Sequence, residues 1–218
     1  MIATPTTTPA RRRATTPTRR WRRAMLVLLQ VAAGGWITAA ATEAILGAHA
    51  LGSSDTGLRR AAVTMSQFID DEVLVPCALA VTYTGIMLAL LTPWGLVRHK
   101  WIAVKLTITI VGLIFGTVWL GGWLADAVRA TDTGELGPIV PEIIGGWILV
   151  AFLVFTLWIG VTKPWGQLNK HHRKPNAEQR QWIWVLALLV PILDTVLGLY
   201  GVAMLVFAVG YAVGRRLK

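Results

Sequence analysis

Residues 139–162 read IVPEIIGGWILVAFLVFTLWIGVT, a run with a single ionisable group, Glu142, one turn from its start. At about 1.5 Å of rise per residue it makes a helix of about 36 Å, longer than the ~30 Å hydrocarbon core of a bilayer. Residues 25–51, 73–92, 101–125 and 182–213 have the same character, so the chain reads as an all-α polytopic bundle with five predicted transmembrane spans. Composition agrees: 55% of the 218 residues are hydrophobic and 15% are charged, with a mean hydropathy of +0.58, too apolar for an ordinary soluble domain.

The charges sort by side. With the N-terminus in the cytoplasm, Arg11, Arg12, Arg13, Arg19, Arg20, Arg22, Arg23, Arg98, Lys100, Lys163, Lys170, Arg173, Lys174 and Arg180 lie inside, and the external loops hold Arg59, Arg60 and Arg129. That bias of 14 to 3 is the positive-inside pattern. A net charge of +10 therefore points to topology and to anionic lipid headgroups at the tail and loops, not to nucleic acid. Acids run the other way, with Asp55, Asp70, Asp71, Glu72, Asp126, Asp132 and Glu135 outside. Residues 1–24, rich in Thr, Pro and Arg, are expected to form a disordered cytoplasmic tail. Arg19 to Ala41 imitates a signal peptide, but the apolar run continues to Leu51 and further spans follow, so a retained first helix is expected.

Thr92-Pro93-Trp94-Gly95 and Thr162-Lys163-Pro164-Trp165-Gly166 end the second and fourth spans alike. Proline stops each helix, tryptophan anchors it at the headgroups and cations follow. The implied core is two helical hairpins over 25–170, with a linker and fifth helix in 171–218. Gly112 and Gly116 form a G-x-x-x-G, and Gly35 sits in one of three Gly-Gly-Trp triplets; such residues let helices approach closely in lipid. The last span is 32 residues long and contains Pro191, Asp194, Gly198, Gly201 and Gly210. A single kinked helix is expected, although it sends Arg215, Arg216 and Lys218 outside, against the charge pattern. Two half-helices of about 16 residues are the alternative, each marginal for a crossing.

At Pro93-Trp94-Gly95-Leu96-Val97-Arg98-His99-Lys100-Trp101-Ile102-Ala103-Val104-Lys105 and Lys163-Pro164-Trp165-Gly166, the chain resembles a family of bacterial integral membrane proteins with no assigned reaction. The likeness covers 25–170, and that family is distantly similar to the CopD-like four-helix membrane domains of copper-resistance and haem-associated proteins. The resemblance implies a four-helix core in a bacterial inner membrane. It also implies a histidine early in the first helix, where this chain has Gln30.

Ionisable groups inside a membrane are costly and are functional candidates by default. Asp194 falls near mid-bilayer, suited either to handling a proton or cation or to tying two helices together. Lys105 lies one turn beyond Trp101, able to snorkel to the headgroups or to meet an anion, with Gln30 at similar depth as a hydrogen-bonding partner. Glu43, His49 and Glu142 near the outer face are weak metal candidates, together with the flanking acids. The lone Cys77 offers neither a disulfide nor a cysteine metal site. No histidine falls mid-span, so haem is not expected, no other cofactor is assigned, and no catalytic set is recognisable. The leading reading is a non-enzymatic small transporter or accessory membrane subunit handling protons or cations, with a metal-linked role as its specific version. A membrane-embedded redox or lipid- or quinone-acting enzyme and a structural scaffold are the alternatives. A homo-oligomer or a place in a membrane complex is compatible with each.

Overall fold

The computed structural model describes residues 17–92, 100–162 and 181–216. Among these the only regular elements are helices, and four are long and apolar enough to cross a membrane: Arg20–Gly52, Thr56–Leu91, Lys100–Thr133 and Ile139–Thr162. We label the segments α1 (Pro17–Gly52), α2 (Thr56–Ile69), α3 (Val75–Leu91), α4 (Lys100–Phe115), α5 (Gly121–Ala130), α6 (Ile139–Thr162), α7 (Gln181–Val196) and α8 (Val202–Arg216). α1 begins inside the stretch assigned to the basic tail. Both Pro-Trp-Gly segments and His99, His171 and His172 lie outside the described residues.

Two of the long helices exceed their predicted spans, and each contains a π-helical turn. Asp70–Leu74 joins α2 to α3, and Gly116–Leu120 joins α4 to α5. In the first, the Val75 N–H donates to the Asp70 carbonyl. Pro76 has no N–H to give and its ring crowds the preceding turn, which the wider π turn accommodates. In the second, the Gly121 N–H donates to the Gly116 carbonyl. α2 starts on Asp55, whose Oδ1 accepts from the Gly57 and Leu58 N–H groups at 2.8 and 3.4 Å, an N-cap. The long third helix ends at Gly134, with φ 81°, the left-handed stop that glycine permits.

α1 is central, packed on α2, α3, α6 and α7, while α4 bridges α3 and α6. Its small residues allow this. A Cβ on Gly35 would stand 2.6 Å from Cys77 Sγ on α3, and one on Gly146 of α6 would stand 3.3 Å from the Ala44 Cβ. Gly112 and Gly116 are buried and face Leu149 of α6, so the G-x-x-x-G is a helix contact. The outward faces carry Phe152, Trp158 and Val161 exposed, the apolar exterior a lipid-facing bundle presents.

The single kinked fifth helix is not what forms. Residues 182–213 fold as α7 and α8, of 16 and 15 residues, each about 23 Å long and short of a ~30 Å core. The chain yields at 197–201 rather than at Pro191, because Gly198, Tyr200 and Gly201 take φ of 61°, 46° and 89°, which ends an α-helix. Asp194 holds the break, its Oδ2 accepting from the Gly201 N–H at 2.6 Å and its Oδ1 from the Ala203 N–H at 2.8 Å. α8 then runs beside α3 in the same direction, with Gly201 against Leu79 and Phe207 facing Tyr83 at a ring separation of 6.5 Å. Its C-terminus thus lies at the end of the bundle where α3 ends.

Candidate functional site

Between α1, α6 and the two π turns lies a cavity of about 10 Å³ lined by Glu43, Asp70 and Glu142 together with Ala40, Gly116 and Gly146. Each acid arrives on a different element, Glu43 on α1, Asp70 on the first π turn and Glu142 in the first turn of α6. Glu43 is 6% and Glu142 3% exposed. Glu43 Oε1 and Glu142 Oε2 are buried without a hydrogen-bond partner. An unsatisfied buried polar atom costs about 1–3 kcal/mol, so its retention calls for a reason. The space holds about one water.

Glycines on α1 and α6 bring the acids together. A Cβ on Gly47 would stand 2.9 Å from Glu142 Oε2, and one on Gly146 would stand 4.0 Å from Glu142 Oε1. Across the cavity, a Cβ on Gly121 would stand 3.8 Å from Asp70 Oδ2. Leu74, Leu120, Leu124 and Leu149 supply the apolar walls of the same space. The acids that follow Asp70 in the chain face outward. Asp71 is exposed and accepts from Gln67 Nε2 at 3.1 Å, and Glu72 is exposed. The nearby cations are engaged elsewhere: Arg59 donates to the Ser53 carbonyl at 2.7 Å, Arg60 pairs with Asp132 at 3.0 Å, and Arg129 pairs with Asp126.

Other sequence candidates go elsewhere. His49 is exposed on another face of α1, and among the described residues no group of three or more His, Cys, Asp or Glu is disposed to hold a metal ion. Asp194 is buried but both its oxygens serve the start of α8, so the helix-tying role is the one its geometry performs. Gln30 is exposed, and the Lys105 ammonium instead sits across the bundle beside Gly160 of α6, 3.3 Å from where a Cβ there would stand. The stem of Lys105 lines a second cavity of about 50 Å³ with Leu29, Val81, Gly85, Ala89 and Thr109.

Of the flanking acids expected near Glu43 and Glu142, Asp70 is the one that lines the cavity. The readable signal was the amphipathic stretch before it, where Ala62 and Val63 are buried one turn before the buried Ser66, which continues the helix outward and turns Asp70 into the bundle. Compared with protein-family models, with curated proteins and with solved structures, the chain matches none.

Proposed function

We propose that this chain is a multi-pass inner-membrane protein that takes up and releases protons at the Glu43–Asp70–Glu142 cavity, acting as a small transporter or as the proton-handling subunit of a membrane complex. One observation carries the reading: two carboxyl groups, almost wholly buried, line one small space, and each keeps an oxygen without a hydrogen-bond partner. Two carboxylates sharing such a space cannot both be charged cheaply, and a proton removes the conflict with no further ligand. A calcium ion asks for six to eight oxygens and magnesium for an octahedral shell, more than the cavity supplies. Two π turns bordering it add weight, since such turns recur at functional sites. The N-terminus and the C-terminal end of α8 then face the cytoplasm.

Infrared difference spectra of the purified full-length protein between acid and neutral pH test this. A protonated-carboxyl band that changes with pH, and that shrinks in Glu43→Gln and in Glu142→Gln, is the expected result. Both substitutions keep side-chain shape, so the fold is retained. A spectrum in which neither variant alters any pH-dependent carboxyl band overturns the proposal.

A further inference from the structure

The two cavities are stacked along the bundle, and the same helices pass both in register. On α1 the order is Leu29 at the second cavity, Trp36, then Ala40 and Glu43 at the acidic one; on the long third helix it is Lys105 and Thr109, Gly112, then Gly116. On α6, Gly160 stands by the Lys105 ammonium and Gly146 and Glu142 by the acids. Leu149 lies between, 3.3 Å from where a Gly112 Cβ would be, with Trp36 Cη2 at 4.0 Å from that point. From Thr109 to Gly116 the rise is about 10 Å. A thin plug of Trp36 and Leu149, each 1% exposed, separates an acidic cavity from a lysine-lined one. The indole N–H of Trp36 is itself buried without a partner.

We infer that the bundle axis is a proton pathway, with Trp36 and Leu149 as its gate and Lys105 as its inner relay; this rests on the acidic cavity binding protons. The argument is one of exclusion. A metal cation entering past the acids meets the Lys105 ammonium beyond the plug, and an anion entering from the other end meets carboxylates. A proton alone is exchanged by groups of both kinds. It binds a carboxylate oxygen of Glu43 or Glu142 from outer water and passes by water across the plug when the gate wets. The Lys105 ammonium gives its own proton to inner water, and the amine so formed takes up the one that has crossed the plug, which restores the ammonium. One proton moves at each step and no other reactant is consumed. Narrow apolar constrictions gate by dewetting, so the plug sets the rate.

Full-length protein in liposomes holding a pH dye, driven by a potassium diffusion potential, reads this directly. Leu149→Ala raises proton flux several-fold over the unsubstituted chain, with Leu149→Val as the milder opening if the alanine variant fails to reconstitute. Lys105→Met abolishes flux. Lys105→Arg abolishes it too, because a guanidinium keeps the charge but does not give up its proton; wild-type flux in Lys105→Arg overturns the relay. Flux unchanged in both Leu149 variants overturns the pathway. If the pH-dependent carboxyl band persists while flux stays at the level of empty liposomes in every variant, the axial path fails and the acidic cavity stands. If the band is absent as well, the reading of the cavity itself has failed.

Discussion

Gly47 shows how finely the acidic cavity is set. Its missing Cβ is what lets Glu142 Oε2 lie against α1, since an added carbon would stand 2.9 Å from that oxygen and 3.0 Å from Ile143 Cγ1. Gly47→Ala must therefore displace the carboxyl or part α1 from α6, and overpacking of this kind costs about 1–3 kcal/mol. Thermal unfolding in detergent is expected to show the loss, and the pH-dependent carboxyl band is expected to shift with it. Gly34→Ala, with nothing within 4 Å of its Cβ, is the control and leaves both unchanged. Glu43 and Glu142 were recognisable as intramembrane acids from sequence, because charge inside an apolar run is conspicuous. Their convergence was not, since it depends on Gly47 and Gly146 setting how closely α1 and α6 approach.

The broken C-terminal element turns on Asp194. From sequence, Asp194 suits either proton or cation handling or the tying of two helices, and nothing there shows that the backbone seven and nine residues on returns to it. Positive φ at Tyr200 was equally hidden, because only the glycines beside it advertise a turn. Asp194→Ala leaves the Gly201 and Ala203 N–H groups without acceptors in a low-dielectric setting, and a lost helix cap costs about 1–2 kcal/mol. The expected outcome is a lower unfolding temperature with earlier proteolysis within α7 and α8, while α1 to α6 keep their protection. Asp194→Asn retains one acceptor oxygen and is expected to fall between. Loss of proton flux in Asp194→Asn with stability unchanged would instead return the residue to the proton path. By contrast, the span 139–162 was readable to the residue, for its ends are marked by Pro138 after the left-handed Gly137 and by the apolar run itself.

Across the molecule, the one feature the sequence left in conflict was the C-terminal charge. A single last helix carries Arg215 and Arg216 to the acidic face, against the positive-inside rule, whereas the α7–α8 hairpin brings them back beside the end of α3 and so to the basic face. The alignment of Gly201 on Leu79 and Phe207 on Tyr83 gives the direction without reference to charge, so geometry and the charge rule agree independently. Single cysteines in a Cys77→Ser background separate the two topologies. Asp132 is exposed beside the turn before α6, and Asp132→Cys is expected to react with an impermeant thiol reagent applied to intact cells. Arg216→Cys is expected to stay unmodified until the membrane is permeabilised. Labelling of both positions from outside restores the single fifth span and removes the hairpin, and with it Asp194's role as the cap of a returning helix. Protection of both, with labelling only after permeabilisation, reverses the orientation of the bundle and places the acidic cavity on the cytoplasmic side, where the same proton chemistry would run in the opposite sense.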